Sequence, residues 1–252
     1  MVTVKDIYDR IDALAPFRNQ ESYDNSGLNI GSRDAEVSKA LIALDATADV
    51  VSDAEKLGVQ LVITHHPVIF DPIKQIDLRS VQGRLARSGI SLIAAHTSFD
   101  SAVMNDLLCE KLGLTPEKPL AVENGVPIGY FCTGVGLAPG ELAKKVGQAL
   151  GNTCVRFNDM GGVINRVAVC SGSGGSFLQE ALAGKADCLI TGDVKHNVFV
   201  DAFNAGITVI DAGHYHTEVI FCEYMQKKLS EEFRGVSFMT APSERDILSY
   251  II

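Results

Sequence analysis

The heptapeptide Leu61-Val62-Ile63-Thr64-His65-His66-Pro67 decides how the rest of the chain is read. Its first four residues are apolar or β-branched, the composition of a buried strand. Two adjacent histidines and a proline then end it, so polar chemistry is placed where a strand stops. Working outward, the same punctuation recurs. Residues 40–44 form a strand ending at Asp45, and residues 48–57 a helix with Thr47 as cap and Gly58 as stop. Residues 81–88 form a helix closed by Gly89, residues 91–95 a strand ending at His96, and residues 103–112 a helix closed by Gly113. Repeated strand–helix–glycine units predict an α/β fold with a mostly parallel sheet and helices on both faces. Ligands of such sheets bind beyond the carboxyl ends of the strands. Asp45, His65, His66 and His96 all fall at that edge.

Before this core, residues 4–15 carry Val4, Ile7, Ile11 and Leu14 on one helical face, with Thr3 as a cap. Residues 19–31 read as a polar loop holding Tyr23-Asp24-Asn25-Ser26-Gly27-Leu28. Asp24 there suits turn chemistry, and it could also approach a site. Residues 114–127, with three prolines and no periodicity, read as a connector. A second α/β half follows. Strands are expected at 129–136, 153–157, 163–170, 188–190, 207–210 and 236–240, and helices at 139–150, 177–183, 195–205 and 216–233. Its strands deliver Asp193, Asp211 and His214 to the carboxyl edge. The division is therefore 1–125 and 126–252, two similar halves that point to an internal structural duplication.

Composition excludes several classes. At 46% hydrophobic and 21% charged, 252 residues suit a globular protein with one large or two small cores. No apolar run reaches the ~18 residues of a membrane span. The amino-terminal MVTVKDIYDRIDAL is charged and helix-patterned, unlike a signal peptide. The net charge of −9 disfavours general nucleic-acid binding. Six widely spaced cysteines without C-x-x-C read as reduced, buried thiols of a cytoplasmic protein.

The chemistry lies in the histidines. Of six, His65, His66, His96, His214 and His216 stand within or just after short apolar runs. Asp100 follows His96 by four residues, and Glu218 follows His214 by four. Imidazole nitrogen and carboxylate oxygen suit divalent transition metals. Adjacent His65 and His66 can diverge onto two ions where Pro67 bends the chain. His214 and Glu218 share one helical face, from which a glutamate can bridge two ions. Asp100, read as a loop residue, can also reach them. Two ions ~3.5–4 Å apart would lower the pKa of a bridging water and clamp an electrophile. His96 is open to three roles: ligand, support for a ligand, or acid–base group. His216 faces away from His214. His196 either lines the same edge or sits in solvent at a helix N-terminus capped by Asp193. The glycine-rich turn Ser171-Gly172-Ser173-Gly174-Gly175-Ser176, between strand and helix, reads equally as an anion cradle or a plain connector.

These motifs, in this order, resemble the GTP cyclohydrolase type 2 homologue family, also called Nif-three-like. They are Tyr23–Leu28, Ile63-Thr64-His65-His66-Pro67, Ala95-His96-Thr97-Ser98-Phe99-Asp100, Val169-Cys170-Ser171-Gly172-Ser173-Gly174-Gly175 and Gly213-His214-Tyr215-His216-Thr217-Glu218. The resemblance spans nearly the whole chain and is to the short form, without an inserted domain. It implies two interlocked α/β halves, a ring-shaped homohexamer and a dinuclear site. The metal ligands would be His65, His66, Asp100, His214 and Glu218, with the glutamate bridging. From the residues themselves, apart from the resemblance, His96 and Glu218 are the candidate catalytic groups. The ions could be Zn, Mn, Fe, Co or Ni.

Three functions compete. The first is a metal-dependent hydrolase acting on a nucleotide or related small phosphorylated heterocycle. The second is a non-catalytic metal-binding ring serving as a regulatory or interaction platform. The third is a ring that threads nucleic acid, which the acidic balance disfavours.

Overall fold

A computed structural model describes residues 1–123 and 125–251. Position 124, within the expected connector, and position 252, at the end of the expected second half, lie outside the described residues. The chain forms two compact units. One comprises Met1–Ala102 and Phe221–Arg245, the other Val103–Ile220 and Asp246–Ile252. The boundary thus falls at 102/103, not at 125/126. The carboxyl-terminal strand also returns to the first unit.

The first unit opens with helix α1 (Val4–Leu14). Thr3 accepts from the Asp6 amide, and the Asp6 carboxylate accepts from the Thr3 amide, a reciprocal cap. Strands β1 (Gly27–Ile30) and β2 (Lys39–Ala43), helix α2 (Ala48–Leu57) and strand β3 (Leu61–Thr64) follow. Helix α3 (Val81–Arg87) and strand β4 (Ser91–Ala94) come next, then a one-turn helix α4 (Thr97–Phe99). Among the described residues the sheet order is β1-β4-β3-β2 with β11 (Ser237–Thr240) outermost. β4, β3, β2 and β11 are parallel, and β1 pairs antiparallel with β4. β1 lies within the stretch expected to be a polar loop. Its pairing partner is far away in sequence, so no local pattern announces it. Leu41, Ala43, Val62, Leu92 and Ala94 pack with Val50, Val51 and Ala54 of α2 and Leu85 of α3. The alternate residues Ile42, Ile63 and Ile93 point the other way and are equally buried, so both faces of this sheet are covered.

The register decides the site. Ala43 pairs with Thr64, and Thr64 with Ala94. The residues that follow, Leu44-Asp45, His65-His66 and Ala95-His96, therefore leave the sheet at one edge.

In the second unit a π-helical turn (Asp100–Met104), whose first residues belong to the first unit, runs into helix α5 (Asn105–Leu112). Strands β5 (Pro116–Glu123) and β6 (Val126–Leu137), helix α6 (Pro139–Leu150) and strands β7 (Arg156–Phe157) and β8 (Ile164–Val169) follow. Then come helix α7 (Leu178–Ala183), strand β9 (Cys188–Thr191), helix α8 (His196–Ala205), strand β10 (Thr208–Asp211) and helix α9 (His214–Glu218). Helix α10 (Ile220–Glu232) takes the chain back to the first unit, so the helix expected over 216–233 is two. The sheet order is β5-β6-β8-β9-β10-β7. β8, β9 and β10 are parallel, whereas β5, β6 and β7 add antiparallel pairs. This sheet is mixed rather than mostly parallel. The expected connector contains β5. An antiparallel edge strand tolerates Pro116 and Pro119 because half of its N–H groups face away from the ladder.

Alternation along the parallel strands builds two cores. Val167, Val169, Cys188, Ile190 and Ile210 pack with Leu108 and Leu112 of α5 and Leu142, Val146 and Leu150 of α6. Ala168, Leu189 and Val209 pack the opposite face against Leu178 and Ala181 of α7 and Ala202 of α8. Each fully buried Leu, Ile or Val contributes roughly 1.5–3 kcal/mol, so the helices hold to both faces without polar help. The six cysteines are free, and only Cys154 is more than marginally exposed. Among the described residues no helix is long and apolar enough to cross a membrane.

Candidate metal centre

In the first unit, one nitrogen from each of His65, His66 and His96 lies within 4.8 Å of the other two. His65 is fully buried, and its Nδ1 lies 2.7 Å from the Ala95 carbonyl oxygen. A carbonyl only accepts, so Nδ1 carries the proton and donates it, leaving the Nε2 lone pair as a ligand atom. That Nε2 stands 3.4 Å from Asp100 Oδ1. His66 Nδ1 lies 2.8 Å from Asp45 Oδ1, and its amide donates to the Leu44 carbonyl at 3.1 Å. His96 Nδ1 lies 3.0 Å from Asp24 Oδ1.

Asp100 is not in a loop. It opens the π-helical turn, and its amide donates to the His96 carbonyl at 3.0 Å. Such turns insert a residue into a helix and redirect side chains, often at functional sites.

Asp24 does more than turn chemistry. It accepts from the Asn25 amide, the Ser26 hydroxyl, and the Thr97 hydroxyl and amide, as well as from His96. Burial pushes its carboxyl up, but the bonds from His96, Thr97 and Ser26 outweigh that and hold it well below the usual carboxylate range. Asp24 is thus a fixed anion behind His96.

The second unit carries its own set. The register pairs Ile190 with both Val169 and Ile210, so the turns at Cys170–Gly172, Gly192–Asp193 and Ala212–His214 leave at one edge. His214 Nδ1 lies 2.9 Å from Asp193 Oδ2, and His214 Nε2 lies 2.9 Å from Glu218 Oε2. Burial lowers the His214 pKa, but the Glu218 and Asp193 carboxylates more than offset this and raise it to about 9. Glu218 is buried.

Asp193 does not cap α8, whose cap is Lys195 without a side-chain bond. It sits in the left-handed region at φ 51°, which Asp tolerates better than most residues. Asp211 braces this arrangement. It accepts from the Val194 amide and the Gly213 amide at 3.1 Å each, and also binds Arg156. His196 is exposed at the α8 N-terminus. His216 Nδ1 points toward Asp246 at 3.8 Å, away from this set.

The glycine-rich turn is not an open anion cradle. The Ser171, Gly172 and Gly174 amides already donate to Asn105, Thr217 and Thr191 side chains at 2.9, 3.0 and 2.7 Å. Gly172 instead makes room. With φ at +59°, a Cβ there would meet Glu218 Oε1 at 2.1 Å.

The donor chemistry fits a divalent ion. Four histidines have Nδ1 fixed by an acceptor, three of them by carboxylates, and carboxylates stand beside the ring nitrogens of His65 and His214. The sequence located the histidines by their place at strand ends. It placed Asp24, Asp45 and Asp193 near the edge without assigning them this task, because their pairing depends on register between distant segments.

Fold and donors together define a mixed α/β protein with histidine–carboxylate groups that could hold a metal ion. Residues 2–246 match the family described as Duf34/NIF3 (NGG1p interacting factor 3), and the chain belongs to it. A Clostridium perfringens protein named GTP cyclohydrolase 1 type 2 homolog is 30% identical over 261 residues, covering 98% of this chain and 99% of its own length. A Helicobacter pylori protein named GTP cyclohydrolase 1 type 2 is 35% identical over 226 residues, covering 86% and 88%. A solved Staphylococcus aureus hypothetical protein has the same fold, with a TM-score of 0.89 at 26% identity over 99% of both chains.

Proposed function

We propose that the protein is a dinuclear metal-dependent hydrolase acting on a nucleotide or related small phosphorylated heterocycle. His65, His66, Asp100, His214 and Glu218 would hold the ions. The carrying observation is the fixing of Nδ1 on every one of His65, His66, His96 and His214. Packed structural histidines have no need of such uniform orientation, whereas ligands do.

Divalent ions in this donor set would supply Lewis-acid polarisation and water activation. The protein's own residues do the rest. His65 and His66 present Nε2 in a committed tautomer. Asp24 stays ionised and keeps the Nδ1 proton of His96 in place, so His96 exchanges protons with substrate at Nε2. Glu218 and Asp100 bring negative charge that offsets that of the ions. The relatives' printed names support a GTP-like substrate. The family resemblance further supports a homohexameric ring, which light scattering would test, and the free buried cysteines support a cytoplasmic setting.

The test is elemental analysis of wild type and His65→Ala, purified without added metal. Wild type should hold about two ions per chain, and the variant one or none. Glu218→Gln should then abolish metal-dependent turnover across a nucleotide panel. No metal, and no uptake of added zinc or manganese, would sink the reading. Full metal with no turnover would turn it into the non-catalytic platform.

A further inference from the structure

We propose that Phe70 is the stacking platform for a planar ring of the substrate, an inference that rests on reading the site as one for a ring-bearing small molecule. The chain that leaves His65-His66-Pro67 is pinned at the next two residues. The Val68 amide donates to Asn29 Oδ1 at 3.0 Å, Gln82 Nε2 donates to the Val68 carbonyl at 2.7 Å, and Asn25 Nδ2 donates to the Ile69 carbonyl at 2.7 Å. Phe70 follows directly. Its ring stands 5.7 Å from the His96 ring at 88° and is 48% exposed. An edge-to-face contact engages only part of each ring, and Phe70 keeps nearly half of its surface in water.

This placement is built rather than incidental. Three hydrogen bonds fix the backbone beneath Phe70, and the Asp24 carboxylate fixes the imidazole it touches. An aromatic face at the rim of an imidazole-lined centre is complementary to a ligand with a flat apolar face and a polar edge. A heterocyclic base is such a ligand. Its ring would stack on Phe70 while its edge or phosphate reaches the polar groups. Ile73, Ile76 and Leu78, further along the same segment of chain, are exposed as well.

The test compares two probes on metal-loaded wild type, Phe70→Ala, Phe70→Leu and Phe70→Tyr by calorimetry. The probes are guanosine monophosphate and ribose 5-phosphate, which lacks the ring. Wild type should bind the nucleotide more tightly than the sugar phosphate. Phe70→Ala and Phe70→Leu should each weaken nucleotide binding by about 5- to 150-fold. Phe70→Tyr should stay within about threefold of wild type, since it keeps the ring face, and ribose 5-phosphate should respond to none of them. Leucine keeps an apolar side chain, so its failure isolates stacking from apolar burial.

Nucleotide binding retained in Phe70→Leu, or equal or absent binding of both probes by wild type, would overturn the proposal. So would a change in oligomeric state with nucleotide affinity intact, which would assign Phe70 to contact between copies. Metal content, measured on every sample, reports separately on the metal reading. A metal-free wild type that still discriminates the probes through Phe70 would refute that reading alone.

Discussion

Replacing Gly172 with alanine asks whether the turn after β8 exists to hold Glu218. The new Cβ would lie 2.1 Å from Glu218 Oε1 and 3.2 Å from its Cδ, with His214 Cε1 at 3.5 Å. Two costs arise, and they separate. An L residue at a φ of +59° loses about 1–2 kcal/mol relative to glycine. At roughly 2–4 °C per kcal/mol for a chain of this size, that lowers Tm by about 2–8 °C. Gly206→Ala carries the same backbone cost, at φ +78°, with nothing within 4 Å of its Cβ. The second cost belongs to Gly172 alone. The backbone has little room to retreat, because the Gly172 amide donates to Thr217 Oγ1 at 3.0 Å. Its carbonyl accepts from the Gly192 amide at 2.7 Å and from Thr191 Oγ1 at 3.0 Å. The Glu218 carboxylate must therefore swing away, taking Oε2 from its 2.9 Å position beside His214 Nε2. In chelator near neutral pH, Gly172→Ala should melt below Gly206→Ala, because it also parts Glu218 from the protonated His214. Zinc titration of stripped protein should then show Gly206→Ala like wild type and Gly172→Ala weaker by about 10–100-fold or more. Equal zinc binding by the two variants would refute the reasoning.

Above pH 9, where His214 is neutral and its pairing with Asp193 no longer stabilises the fold, Asp193→Gly should move stability and metal affinity in opposite directions. Relief of the left-handed backbone adds up to about 1 kcal/mol, while loss of the carboxylate behind His214 weakens metal binding by about 10–100-fold. Thermal unfolding in chelator and zinc titration check the two halves, and unchanged affinity would show that His214 needs no orienter. The raised His214 pKa makes metal uptake proton-linked. The imidazolium stabilises the metal-free fold fully below the unfolded value of ~6.5, and that stability is lost as pH rises through about 9. A metal must displace this proton, so apparent affinity should climb about tenfold per pH unit and flatten above the His214 pKa. Glu218→Gln removes the carboxylate that raises the pKa and should flatten the profile earlier. A pH-independent affinity would exclude His214 as a ligand.

Local pattern carried much of this molecule. Glycine stops, the Thr3 and Thr47 caps and the apolar strands were legible because each is decided within a few residues. His65, His66, His96 and His214 were legible because the carboxyl ends of strands in an α/β sheet are where ligand-binding polar groups gather. What stayed hidden depends on distant partners. β1 exists because β4 accepts it, and β5 because β6 lies beside it, whatever its prolines suggest. Phe221–Arg245 belongs to the first unit because β11 finds β2, a pairing no window of sequence contains. The orienting roles of Asp24 and Asp193 share this cause. Each stands more than a turn of chain away from its histidine, and only the register joins them.

That return of the chain also sets a timetable. β2 is made early and must wait for β11 to cover its open edge. At synthesis rates of ~5–20 residues per second, the wait is about 10–40 s. During it Val103–Ile220, the larger part of the second unit, emerges, while Lys39–Ala43 presents an unpaired parallel edge to the cell. A chain stalled before residue 237 would hold Val103–Ile220 of its second unit yet display that edge indefinitely. The vulnerable species is thus the unfinished protein rather than the finished one, and quality control would meet it at the ribosome.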